Sequence, residues 1–165
     1  MAGTIQQRIT PFLWFDDRAE EAVNLYVSVF DNSRILDTAR YTEENAPLAG
    51  RAPGSLMTVS FELDGQRFSA INGGPHFKFT EAVSLVVHCR DQAEVDYYWD
   101  RLGAGGDERA QQCGWLKDRF GLSWQIIPDR LLALLADPAR APRATHAMLQ
   151  MKKLDIAALE RAAAG

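Results

Sequence analysis

Residues 55–74 read SLMTVSFELDGQRFSAINGG. Two arms rich in β-branched and aromatic residues flank Asp64-Gly65, a pair that tolerates the positive φ angles of a type I′ turn. The stretch is expected to be a β-hairpin. Upstream, ITPFLWF (9–15) reads as a short strand and DDRAEEAVNLYVSVF (16–30) as a helix, with Asp16 or Asp17 as its cap and Ala22, Val23, Tyr26, Val27 and Phe30 at helical spacing. SRILDTARY (33–41) is a further strand. TEENAPLAGRAPG (42–54), with two prolines and two glycines, is a long loop.

The same order is expected again downstream. AVSLVVHC (82–89) is a near-continuous apolar strand, and RDQAEVDYYWDRLGAGG (90–106) is a helix stopped by glycine. Short strands are expected at 108–112 and 114–118, and a last strand, LSWQIIP (122–128), ends at Pro128. DRLLALLADP (129–138) reads as a short helix. THAMLQMKKLDIAALERAAA (145–164) reads as one longer helix, with Met148, Met151, Leu154, Ile156 and Leu159 on its apolar face. Strand, helix and three strands therefore occur twice, which is an internal duplication. Ala19-Glu20 can be laid on Ala93-Glu94, and Phe61…Phe68-Ser69 on Trp115…Leu122-Ser123.

Composition narrows the classes of function. The 165 residues are 47% apolar and 24% charged, an ordinary globular balance, and the net charge is −4. No basic surface suited to phosphates is evident, so nucleic acid is not an expected partner. No apolar run is long enough to span a membrane, and MAGTIQQRIT lacks a leader pattern, so a cytoplasmic location is expected. Cys89 and Cys113 are expected as free thiols, with Cys89 in the core.

Several residues are candidates for a site. His76 follows the tight turn Asn72-Gly73-Gly74-Pro75 and precedes Phe77 and Phe79. It either closes one end of the sheet or contacts a substrate as a general base. Cys113, beside Gly114, either packs or faces a pocket. Trp14, Trp115, Trp124, Phe61 and Phe68 can serve as aromatic walls or as core. The catalytic candidates are His76, Gln125 and Cys113. The substrate-binding candidates are Trp14, Asn72, His76, Phe77, Trp115 and Gln125. His88 and His146 read as surface or capping residues. The glycine run GAGG (103–106) follows a helix rather than a strand, so Gly103 reads as a helix stop and not as a nucleotide loop.

PFLWFDDRAEEAVNLYVSVF (11–30), TVSFELDGQRFSAINGGPHFKFTEAVSLVVHC (58–89), DQAEVDYYWDRL (91–102), CGWLKDRFGLSWQIIP (113–128) and AMLQMKKLDIAALERA (147–162) together resemble the vicinal oxygen chelate superfamily. That superfamily includes glyoxalase I, bleomycin-resistance proteins and extradiol dioxygenases. The chain is most similar to its PhnB-like group, labelled 3-demethylubiquinone-9 3-methyltransferase-like. The resemblance implies an α+β fold of two βαβββ modules with C-terminal helices, each module curling a sheet around a cavity, in a homodimer. A single domain over 1–165 would then hold a first module at 5–80, a second at 81–128 and a helical tail at 129–165.

Metal-using members carry His, Glu or Gln ligands on the first and last strands of each module. By the resemblance those places fall here at Thr10 or Pro11, at Ser84 or Leu85, at Ala70 to Asn72, and at Gln125. The superfamily pattern Asp-x-x-Gly-x-x-x-Glu becomes Asp118-Arg-Phe-Gly121-Leu-Ser-Trp-Gln125. No metal and no other cofactor is expected. Three functions stay open: a metal-free binder or converter of a small aromatic or quinone-like molecule, a metal-dependent lyase or dioxygenase, and a structural homodimer.

Overall fold

The computed structural model describes residues 7–165. The expected module start at residue 5, and the MAGTIQ segment read for a leader, lie outside the described residues. The chain divides into two compact units, one ending at Lys78 and the other running from Phe79 to Gly165.

The first unit follows the expected order: β1 (Phe12–Phe15), α1 (Ala19–Val29), β2 (Arg34–Arg40), β3 (Leu56–Leu63) and β4 (Gln66–Asn72). Its sheet has the order β1-β4-β3-β2, with β1 parallel to β4 and the other pairs antiparallel. The hairpin turn forms at Asp64 (φ 47°) and Gly65 (φ 77°), as the Asp-Gly pair predicts. One face of this sheet carries Leu13, Phe15, Val59, Phe61, Phe68 and Ala70, all buried, and packs against Ala22, Val23, Tyr26 and Val29 of α1. Phe61 and Phe68 stack at 5.5 Å between centroids and belong to this core, so neither is a pocket wall.

The cap of α1 differs from expectation. Neither Asp16 nor Asp17 caps it; Arg18 takes the N-cap position, with its side chain turned to Glu21 at 2.9 Å rather than to the helix amides. The acceptor comes from across the sheet: Asn72 Oδ1 receives the Ala19 N–H at 2.8 Å. Asp16 instead pairs with Arg51 at 3.1 Å, which ties the 42–54 loop to the end of β1. That loop is ordered by Thr42 and Asn45, which exchange side-chain and backbone hydrogen bonds, and by a 3-10 turn at Pro47–Ala49.

The second unit contains β5 (Ser84–Cys89), α2 (Gln92–Gly103), β6 (Trp115–Lys117) and β7 (Ser123–Pro128) in a sheet ordered β5-β7-β6. β5 and β7 are parallel, joined through α2, and β6 is antiparallel to β7. Asp91 caps α2 by accepting the Glu94 N–H at 2.9 Å, and Glu94 reaches back to the Arg90 N–H at 2.8 Å, a variant of the capping box. Segment 108–112 is not a strand. Glu108–Ala110 is a 3-10 turn, because Asp107 accepts the Arg109 N–H and so offers the backbone a local alternative to a ladder.

The tail contains α3 (Asp129–Leu135), α4 (Ala141–Leu149) and α5 (Ile156–Ala164). The single helix expected at 145–164 is two. Asp155 caps α5 by accepting the Ala158 N–H at 2.8 Å, and residues 151–152 give their carbonyls to the Cys113 and Gly114 N–H groups at 2.8 Å each. His146 therefore lies in the last turn of α4 and not at a helix start. Ile127, Leu131, Leu134, Ala144, Leu154, Leu159 and Ala163 form the tail core, with Met148 and Met151 packed against it. Among the described residues no helix is long and apolar enough to cross a membrane.

Candidate functional site

In the second unit, strand register decides which side chains share a face. Ser84, Ser123 and Lys117 are neighbours across β5, β7 and β6, and Val86, Gln125 and Trp115 form the next row. Residues that are direct partners point to the same side, and successive residues alternate. Leu85, Trp124 and Leu116 therefore lie on the opposite face, the one that α2 covers with Val95, Trp99 and Leu102. Trp124 is 2% exposed and donates its indole N–H to Asp118 Oδ2 at 2.9 Å, so it is core and not a wall. The other face stays open at its centre: Val86 is 46% exposed, and Trp115 and Gln125 are half-buried. The tail closes its far end at Ile127.

Gln125 is not isolated on that face. Its Nε2 donates to Ser84 Oγ at 2.9 Å. The resemblance places the metal ligands of the second module at Gln125 and at Ser84 or Leu85; of the latter two, Ser84 shares the face of Gln125. Lys117, in the adjacent row, forms an ion pair with Glu81, and this bond holds the Glu81 carboxyl below the ordinary carboxylate range. Ser123 Oγ is buried and has no hydrogen-bond partner.

The register also corrects the repeat alignment. Ser69 and Ser123 are equivalent, each paired to the first strand of its module, at Phe12 and Ser84. Phe61 and Trp115 are not equivalent. Ser60 faces Ser69 as Lys117 faces Ser123, which puts Phe61 on the helix-covered face and Trp115 on the open one.

The first unit gathers a second set of candidates. Trp14 donates its indole N–H to Gly74 O at 2.9 Å and lies edge-on to Phe77 at 4.9 Å and to His76 at 6.4 Å. Glycine is required at 73: a Cβ there would sit 2.2 Å from the Trp14 ring. His76 and Phe77 are exposed. Asn72 is turned to the other face and is 7% exposed. Its amide oxygen caps α1, its Nδ2 donates to Leu56 O at 3.4 Å, and its carbonyl accepts the Tyr41 hydroxyl at 2.8 Å. The structure thus commits Asn72 to holding the fold.

Cys113 (φ 51°) and Gly114 (φ 85°) form the tip of a turn closed by Gln112 and Trp115, which exchange backbone hydrogen bonds at 3.1 and 2.8 Å. Cys113 Sγ lies 3.3 Å from Gln112 Nε2. Cys89 is fully buried, and burial pushes its thiol up to about 12. A cleft of about 580 Å³ lies between the start of α2 and the tail, lined by Arg90, Gln92, Arg130 and Ile156 among others. Its two arginines are already paired, Arg130 with Glu160 at 2.6 Å and Arg90 with Glu94, its Asp91 and Asp155 cap helices, and Gln92 bridges it by accepting the Ile156 N–H at 2.8 Å. It is a braced joint. Among the described residues no three His, Cys, Asp or Glu side chains converge as a metal-ion site.

Nothing in the sequence pattern singled out Lys117 or Ser123. Only the register, which depends on where β6 ends, sets them in the row beside Ser84.

A family model described as 3-demethylubiquinone-9 3-methyltransferase matches residues 7–127, so the tail helices lie beyond it. Among solved structures, the chain is similar to the PhnB protein from Bacillus cereus at 36% identity, over 74% of this chain and 99% of that one, with a TM-score of 0.65. Protein PA1353 from Pseudomonas aeruginosa matches at 18% identity over 74% and 97% of the two chains, with a TM-score of 0.53. The fosfomycin resistance protein FosX from Mesorhizobium loti matches at 17% identity over 74% and 90%, with a TM-score of 0.50. The last two share the fold. No curated protein matches the chain.

Proposed function

Because the chain belongs to the 3-demethylubiquinone-9 3-methyltransferase family of the glyoxalase/bleomycin resistance/dioxygenase superfamily, we propose that it binds a small flat organic molecule on the open face of its second sheet, without a metal ion or nucleotide cofactor. The observation that carries this reading is the Gln125–Ser84 pair, set beside Trp115 and exposed Val86. Apolar surface with a few convergent polar groups is what a small-molecule site requires. The amide and hydroxyl would orient a carbonyl or phenol oxygen while Trp115 stacks on the ring.

The residues do not fit a divalent ion. Ser84 and Gln125 are neutral, they bond to each other, and the Lys117 ammonium shares their face. An ion of this kind needs several converging donors, usually anionic or imidazole. Nor do the glycines at 103–106 fit a nucleotide. A Cβ at Gly106 would lie 2.0 Å from Lys117 O, so this glycine serves the close approach of the chain to β6. No methyl-transfer step follows from these residues.

The test is a thermal-shift screen against quinones, phenols and aromatic antibiotics, since a ligand of the native state raises the melting temperature. A hit that Trp115→Ala abolishes supports the reading. Hits that ignore Trp115 and Gln125 would move the site elsewhere, and a stoichiometric divalent ion in elemental analysis of the purified protein would overturn the metal-free part. The protein is further proposed to act as a homodimer, supported by the exposure of Phe12 (58%) and Phe77 (64%). Light scattering at the monomer mass of 18.4 kDa would refute this.

A further inference from the structure

We propose that this face selects an aromatic carboxylate, whose ionised oxygens dock between Lys117 and Ser123 and displace Glu81 from Lys117. This rests on the binding reading above and adds the class of ligand.

Three observations lead there. Ser123 is 1% exposed, and its hydroxyl is the one buried side-chain polar atom among the described residues with no hydrogen-bond partner. A buried hydroxyl left unpaired loses its bonds to water and gains none in return, so native structures rarely keep one without reason. Second, register sets Ser123 directly between Ser84 and Lys117 on the open face, while Trp124 beside it in sequence points to the core. An O–H donor and an ammonium side by side match a carboxylate, which only accepts. Third, the next row supplies Val86 and Trp115, an apolar floor for a ring attached to that carboxylate.

Glu81 makes the choice of anion specific. Its side chain is 61% exposed, whereas that of Lys117 is 25% exposed. A carboxylate on the surface thus already occupies the cation. Glu81 is an internal stand-in for the ligand, held by the same charge-assisted bond, and a ligand must compete with it.

The test compares 2-naphthoate with 2-naphthamide, which share a ring system and differ in charge, by titration calorimetry on the full chain. The acid is expected to bind about tenfold or more tighter than the amide, the worth of one charge-assisted contact. Lys117→Gln should bring the two to equal affinity, and Lys117→Arg should restore the preference. Glu81→Gln should tighten the acid and leave the amide unchanged. Ser123→Ala should weaken the acid without lowering the melting temperature, because it removes a hydroxyl that has no partner. Acid and amide binding equally in the wild type, with both lost in Trp115→Ala, would overturn the carboxylate and leave the binding reading standing. Binding of neither compound would overturn both. A preference for the acid that survives Lys117→Gln, in a variant whose circular dichroism matches the wild type, would also sink the proposal.

Discussion

Replacing Asn72 by alanine separates a structural residue from a ligand contact. The Asn72 side chain accepts the Ala19 N–H at 2.8 Å and donates to Leu56 O at 3.4 Å, with 7% exposure. Loss of a helix cap costs about 0.5–2 kcal/mol. Ala19 is itself fully buried, so its N–H gains no water in exchange, and the cost should fall at the upper end of that range. The weaker bond to Leu56 adds a fraction of one such unit, giving a total of about 2–3 kcal/mol. For a chain of this length, that lowers the melting temperature by about 4–12 °C. Urea unfolding followed by circular dichroism should show the same loss as a lower midpoint at unchanged slope. Tyr41→Phe, which removes only the hydroxyl bond to Asn72 O, should cost about 1 kcal/mol. An Asn72→Ala variant within about 0.5 kcal/mol of the wild type would refute the capping argument, since that is the range of surface substitutions away from any special contact. Unchanged stability with weakened ligand binding would return Asn72 to the site.

Asp118→Ala should be among the more damaging changes, because the carboxylate accepts the Trp124 indole N–H and the Phe120 and Leu122 amides at 2.9–3.1 Å. A loss of about 3–5 kcal/mol by urea unfolding is expected, and less than about 1 kcal/mol would refute the account. Gly73→Ala puts a methyl 2.2 Å from the Trp14 ring, so its intrinsic fluorescence spectrum should shift and stability should fall by about 1–3 kcal/mol, the usual cost of overpacking. A disulfide-exchange reagent at pH 8 should titrate one thiol in the native protein and two in urea. Cys89, held protonated up to about 12, exposes no thiolate at that pH, whereas Cys113 is partly accessible.

The fold was legible wherever a local pattern and a tertiary requirement agreed. Asp64-Gly65 needs only its own backbone preferences to form a turn, and the hairpin stands as read. The cap of α1 was illegible because its acceptor, Asn72, lies far along the chain and reaches Ala19 only once β1 and β4 pair. The tail departs from its sequence pattern for a related reason. Apolar spacing over 145–164 suits one helix, but Asp155 starts a second and the Cys113-Gly114 amides claim the carbonyls before it. Asp155 was a visible signal, an N-cap residue just before an apolar run.

The candidate site was half legible. Gln125, Trp115 and Trp14 stand out as residues, and alternation alone separates Gln125 from Trp124. Lys117 and Ser123 stayed hidden, because a lysine and a serine near a turn look like ordinary surface until the register is known.

The bonds between the turn tip and the tail have a consequence for motion. Hairpin tips usually exchange their amide hydrogens quickly, having no partner to open from. Here the Cys113 and Gly114 amides are held by Met151 and Lys152 carbonyls. Their exchange rates become clocks for undocking of the tail. If they exchange faster than the β7 amides, the helices beyond the family's shared domain detach while the sheet stays folded. If the rates coincide, the added helices and the sheet open as a single cooperative unit.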